Sequence, residues 1–208
     1  VAGDAFDGAI MRHKVSRHFG AEVTYRMPFG KNVLTMPRSL MESLCSPADT
    51  CLLARRDIMN FLRDVRGGSL GVDDKRHIDQ LLCLVEDSLG FQVFEAIERT
   101  KRALSEHEET FVRFDYPGIE LCEPITCAEF QCFSAVQVST ILERLDQTVA
   151  ASGLRAEDID LVCCTGGTAR VAGLKAAVFS RFNPARIIRL RSLHSVIQGL
   201  AECAKAFV

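Results

Sequence analysis

The chain has 208 residues, 48 % of them hydrophobic and 25 % charged, with a formal net charge of −2. That is ordinary globular composition, enough for one large domain or two small ones. The near-balanced charge gives no reason to expect a nucleic acid or a membrane surface as partner, and no apolar run approaches transmembrane length.

In chain order, Asp4 and Asp7 predict a helix start, with Asp4 as cap and Asp7 at the positive end of the dipole. Phe6, Ile10 and Phe19 supply an apolar side, and Gly20 stops the helix. Residues 22–35 show little pattern. Residues 39–45 and 49–65 read as helices, and Gly67, Gly68 and Gly71 mark a flexible break after them. Residues 73–105 form one helical pattern, through Ile78, Leu82, Val85, Val93, Ile97 and Leu104, with a bend expected at Gly90. Residues 111–116 and 119–122 alternate as a hairpin around Pro117 and Gly118. Thr126 and Glu129 form a capping box that opens a helix over 126–152. A short apolar strand over 159–164, a helix over 168–182, a strand over 186–190 and a closing helix over 192–207 complete the chain. Strand–helix–strand–helix predicts a parallel α/β unit.

The nine cysteines are odd in number and contain no Cys-x-x-Cys pair. They read as buried free thiols in a reducing, cytoplasmic compartment. The five histidines show no metal-ligand spacing, so no metal site is expected.

Two stretches carry chemistry. The strand over 159–164 runs directly into Thr165-Gly166-Gly167-Thr168 and then a helical pattern. Such a turn presents backbone N–H groups and a helix N-terminus to an anion, although it also serves as a plain tight connection. Upstream, Glu98, Lys101, Arg102 and Ser105 stand at i, i+3, i+4 and i+7 and so share one helix face. That face is either a solvated charged surface or a polar clamp. A carboxylate and an ammonium suit ribose hydroxyls, and a guanidinium stacks on a base.

Glu98-Arg-Thr-Lys-Arg-Ala-Leu-Ser105 resembles the adenosine-binding helix of the DnaK-type heat-shock chaperones, members of the actin-like ATPase superfamily. Gly166-Gly-Thr-Ala-Arg170 resembles their second adenosine motif. Gly3-Asp-Ala-Phe-Asp7 resembles an earlier Gly-Gly-x-x-Phe-Asp segment, and Ile125-Thr-Cys-Ala-Glu-Phe130 an Ile-Thr-Arg-x-x-Phe segment. The four occur in family order. Gly-Gly-Thr-Ala-Arg, with Gly199-Leu-Ala201 after it, leans toward the short DnaK-like proteins of the YegD type. The resemblance covers residues 1–20 and 90–208 and is poor over 21–71, which read as a helical replacement.

The resemblance implies the second lobe of an actin-like (ribonuclease H-like) α/β ATPase fold. Residues 1–123 would be its mostly helical upper subdomain, and residues 124–208 its lower α/β subdomain without the first strands. A chain beginning at Val1, inside a motif, is expected to be a piece of a longer protein. Gly3 would lie beside the nucleotide, ATP or ADP. Glu98 and Lys101 would hold the ribose, and Arg102 and Arg170 would sandwich the adenine, with Ser105 on its edge. Gly166, Gly167 and Thr168 would approach the ribose and α-phosphate. The expected role is that of an ATP-driven switch in a chaperone. Unfolded clients or co-chaperones would be its partners, with self-association of the fragment through an open sheet edge. The family's phosphate loops, catalytic Lys and Mg²⁺-organising Asp residues do not occur in these 208 residues, and Leu193-His194-Ser195 stands where an acidic residue is expected. No catalytic residue is therefore assigned. A sugar-kinase-like phosphotransferase and a degenerate lobe that only binds protein are the alternatives; the complete Glu-x-x-Lys-Arg-x-x-Ser helix speaks against the kinase.

Overall fold

Helix α1 spans Ala2–Ile10 and buries Phe6, Ala9 and Ile10. The computed structural model that shows this describes residues 2–28, 30–189 and 195–205, with side chains except at 2, 170, 172, 189, 195, 196 and 198. Asp4 sits inside the first turn of α1 rather than at its cap, because the helix already includes Ala2. The chain continues as a π-helical turn, Met11–Val15, and a 3-10 turn, Ser16–Phe19. Gly20 ends it in the left-handed region, as expected, with φ 86°.

Strands β1 (Thr24–Tyr25) and β2 (Leu34–Thr35) pair antiparallel. Helix α2 (Arg38–Leu44) follows. The helix expected over 49–65 is split at Arg55, whose extended backbone separates a 3-10 turn, Thr50–Ala54, from helix α3, Arg56–Gly68. The flexible break expected after it is instead pinned. The Arg26 N–H donates to the Gly68 carbonyl at 3.0 Å, and the Leu70 N–H to the Thr24 carbonyl at 3.0 Å.

The single helix expected over 73–105 is two, α4 (Asp74–Glu86) and α5 (Gly90–Ala103). The break lies at Ser88, a non-glycine residue with φ 55°. Gly90 has a packing role: a Cβ there would stand 2.7 Å from Thr50 Cγ2. Strands β3 (Glu109–Tyr116) and β4 (Ile119–Thr126) form an antiparallel hairpin turned by Gly118, φ 91°. One face of β4 is buried through Ile119, Leu121, Glu123 and Ile125. The buried Glu123 carboxylate is satisfied by Arg17 and, at 2.5 Å, by His18 Nε2.

Thr126 and Glu129 form the expected capping box, with Thr126 N–H to Glu129 Oε2 at 2.9 Å and Glu129 N–H to Thr126 Oγ1 at 3.2 Å. The Lys14 ammonium, 2.6 Å from Glu129, holds that carboxyl below its ordinary range, helped by the Thr126 N–H. The helix expected over 126–152 is interrupted at the buried Ser134, giving α6 (Cys127–Phe133) and α7 (Ala135–Ala151).

Strand β5 (Val162–Cys164), helix α8 (Ala172–Phe179), strand β6 (Ile187–Arg189) and helix α9 (Ser195–Lys205) close the chain. β5 and β6 pair parallel, Val162 opposite Ile187, as a strand–helix–strand unit requires. The chain divides into two compact units, Gly3–Phe133 and Ser134–Val208. The first has a core of Phe6, Ile10, Phe19, Leu62, Ile78 and Ile97; the second has a small one of Leu142, Val171, Leu174 and Phe182.

All nine cysteines are free, but the expectation of burial fails for most of them. Cys51, Cys122, Cys132, Cys163 and Cys203 are exposed. Cys122 occupies the outward face of β4, one position from buried neighbours on either side. Cys45 is buried, and burial pushes its thiol up to about 11.

The two terminal glycines of α3 make a paired test. A Cβ on Gly68 would meet the Arg26 carbonyl oxygen at 2.0 Å, whereas one on Gly67 meets nothing within 4 Å. Gly68→Ala should therefore destabilise the protein by about 1–3 kcal/mol. Gly67→Ala should stabilise it by about 0.5–1 kcal/mol, through lost unfolded-chain entropy. Urea midpoints of the two variants check both signs.

Candidate functional site

Helix α5 is amphipathic. It buries Val93, Phe94, Ala96, Ile97 and Thr100, and this turns Glu98 and Arg102 outward. The Arg102 guanidinium donates to Glu98 Oε1 at 2.9 Å, and Arg102 is exposed. Ser105 lies beyond the end of α5, in the turn that follows. Its N–H donates to the Arg102 carbonyl at 3.0 Å and its side chain is exposed. That turn is anchored from α6, where the Cys127 thiol lies 3.1 Å from the Leu104 carbonyl and 3.2 Å from that of His107. From the other side, Thr100 Oγ1 donates to the Phe111 carbonyl of β3 at 3.2 Å. The helix end that carries the polar residues is thus held by two neighbouring elements.

Lys101 does something that its helical spacing does not announce. Its ammonium reaches α1 and stands 2.8 Å from both carboxylate oxygens of Asp7. Only 15 % of the Lys101 side chain and 11 % of that of Asp7 are exposed. Oδ2 accepts the hydrogen bond; Oδ1 is buried and has no hydrogen-bond donor. Burial pushes the Asp7 carboxyl up, Lys101 pulls it down, and the nearby Glu98 and Asp4 carboxylates push it up again. The net direction is upward. This group's contribution to stability is therefore fully present below its unfolded value, near 3.9, and is lost as the pH rises through the folded one. At neutral pH the ion pair holds a charge that burial disfavours.

Asp7 is the partner of Lys101, and the sequence reading placed it at a helix end instead. The available signal was its position on α1 beside Phe6 and Ile10, since an acidic residue on a buried face needs a partner. Gly3 is half-buried in the first turn of the same helix. The Lys101–Asp7 contact thereby links α1, which carries Gly3, to α5, which carries Glu98 and Arg102.

Gly166, Gly167, Thr168 and Arg170 belong to the second unit. Gly166 follows β5 with φ 86° and ψ 160°, a conformation open essentially to glycine alone. The helix that the sequence starts at Thr168 is a 3-10 turn, Gly167–Arg170, and the α-helix proper begins at Ala172. The N–H groups beside the Gly-Gly turn are therefore those of a 3-10 turn, not of an α-helix N-terminus. The Arg170 side chain lies outside the described residues, as do Leu193 and His194. Gly167 is not in the left-handed region, and a Cβ there would meet nothing within 4 Å. Neither strain nor packing among the described residues calls for glycine at that position, whereas close approach of a ligand to the backbone would.

Within the first unit the Glu98 carboxylate, the Lys101 ammonium and the Arg102 guanidinium are hydrogen-bonding groups of the kind that sugar hydroxyls and a base accept. Among the described residues, no three His, Cys, Asp or Glu side chains are grouped to hold a metal ion, and none is assigned to Mg²⁺.

Lys101→Met or Asp7→Leu alone should cost about 3–5 kcal/mol by leaving one charge buried without its partner. The double variant should recover most of that loss, because an apolar pair replaces the ion pair. Denaturant unfolding of the three variants measures the coupling directly.

A family model described as Hsp70 protein matches residues 82–199, more than half of the chain. Both the 98–105 and the 166–170 stretches fall inside the matched segment, while Gly3 and Asp7 precede it. This chain belongs to the Hsp70 family.

Proposed function

We propose that this chain is the adenine-nucleotide-binding second lobe of a DnaK-like chaperone ATPase, serving as an ATP-driven conformational switch within a longer, cytoplasmic protein. The observation that carries the reading is the polar group on α5. Glu98, Lys101 and Arg102 stand together at a helix end braced by β3 and α6, inside the segment that matches the Hsp70 family. Family membership supports nucleotide binding and chaperone-type ATPase function in general. The lobe assignment and the roles of single residues are our own reading.

In this reading Glu98 and Lys101 hold the ribose. Arg102 and Arg170 stack on the adenine, Ser105 bonds its edge, and the Gly166–Gly167–Thr168 backbone approaches the α-phosphate. Gly3, on the helix that meets α5, lies near the nucleotide. The γ-phosphate and Mg²⁺ would be handled by groups that this chain does not contain. Phosphoryl transfer depends on such clamps for charge stabilisation. Clients or co-chaperones would sense the nucleotide through lobe closure.

A guanidinium over a base contributes about 0.5–2 kcal/mol, and a lysine keeps the charge without the plane. Arg102→Lys and Arg170→Lys should each weaken ADP binding several-fold, and their combination should be non-additive if both flank one base. Arg102 also pairs with Glu98 on the surface, a contact worth about 0.3–0.5 kcal/mol. If that pair were its whole role, calorimetric titration would find the same ADP affinity in the Arg102→Lys variant and the wild type. Unchanged affinity in both single variants would remove the stacking roles.

A further inference from the structure

The ammonium of Lys101 is held by a residue on another helix, and only 15 % of its side chain is exposed. A free lysine side chain samples many rotamers, and a ligand that used it would have to freeze them. Here the freezing is done before any ligand arrives. Asp7 stands 2.8 Å from the nitrogen through both of its oxygens and takes one ammonium proton on Oδ2. Two protons of the ammonium remain for other acceptors. Every charged group that acts on this pair is identifiable. Glu98 and Asp4 are the carboxylates beside Asp7, and Arg102 engages Glu98 on the outer side of α5.

A pair whose only task was to hold α1 against α5 would be no better than two well-packed apolar side chains in the same place. Phe6, Ala9 and Ile10 of α1 and Val93 and Ile97 of α5 already supply buried apolar surface. The ion pair adds direction instead: it fixes where the remaining N–H bonds of Lys101 point. A hydrogen-bond donor fixed in advance is what allows a site to discriminate for a hydroxyl, because a ligand without that hydroxyl leaves the donor unmatched.

We propose that Asp7 is a positioning residue which orients the Lys101 ammonium toward the sugar hydroxyls, and so gives the chain its preference for ribose over deoxyribose nucleotides. This rests on the reading that the 98–105 segment binds adenosine. Asp7 itself touches Lys101, not the nucleotide, and acts only through that side chain.

The test titrates ADP, 2′-deoxy-ADP and 3′-deoxy-ADP calorimetrically into the wild-type chain and into Asp7→Asn and Asp7→Glu. The wild type should prefer ADP by about tenfold over at least one deoxy analogue, the size of one charge-assisted hydrogen bond. Both variants should cut that preference to about twofold or less, while their affinity for the same analogue changes little. Asp7→Glu keeps the charge and displaces it by one methylene, so it tests position apart from charge and serves where the Asn variant does not fold. If neither variant folds, ¹⁵N spectra of the wild-type lysine ammonium groups decide. A Lys101 signal protected without nucleotide, and moved more by ADP than by the preferred-against analogue, supports the proposal; a signal that ADP leaves in place overturns it. Affinity lost equally for all three nucleotides, or a preference kept intact in both variants, would mean a purely structural pair. A wild type that binds all three alike overturns the role of Asp7 but leaves nucleotide binding standing. A wild type that binds none removes the nucleotide reading itself, and the role of Asp7 with it.

Discussion

In the first unit the Lys101 ammonium of α5 reaches the Asp7 carboxylate of α1, 94 positions away in the chain. A carboxylate and an ammonium removed from water are tolerable only when each has the other, so this contact ties one point of α1 to one point of α5. The same constraint sets the geometry of the candidate site. Once Lys101 is drawn inward, Glu98 and Arg102 remain as the outward pair one turn apart, and Ser105 follows in the anchored turn. Lys14 ties the π-helical turn after α1 to the cap of α6, and Arg17 and His18 satisfy the buried Glu123 of β4. The region after α1 is thus tied to α6 and to β4 by polar side chains.

The second unit is built differently. Its strands are short and its core is small, and its functional interest lies in backbone rather than side chains. Gly166 takes a conformation that other residues avoid, and Gly167 faces open space. The parallel pairing of β5 and β6 puts this turn at the carboxyl end of β5, where ligands gather on parallel sheets. Arg181 of this unit grips Asp146 of α7 with two hydrogen bonds, at 2.9 and 3.2 Å, and fixes the chain after α8 against that long helix.

What the sequence discloses of this molecule follows from which forces are local. Amphipathic spacing identified α3, α4 and α5, the hairpin alternation identified β3 and β4, and the Thr126–Glu129 cap marks the start of α6 because each signal lies within a few residues. The interruptions at Ser88 and Ser134 had no such signal, since neither is a glycine or proline. Gly90 suggested a bend, yet its backbone is plain helix and its missing Cβ makes room for Thr50, far away in sequence. Gly67 and Gly68 suggested flexibility, but the second of them is fixed by the Arg26 carbonyl. In the site, the shared face of Glu98 and Arg102 was legible from spacing alone. The Asp7–Lys101 contact was not, because residues 94 positions apart meet only once the helices have packed.

The proposed function gives a single nucleotide contacts at the α5 end and at the Gly-Gly turn. Hydrogen–deuterium exchange on this chain, with and without saturating ADP, tests that most directly. The amides from Lys101 to Ser105 and those of Gly166, Gly167 and Thr168 should gain protection together, over the same range of ADP concentration. Protection confined to one of the two segments, or absent from both while the protein stays folded, would contradict it.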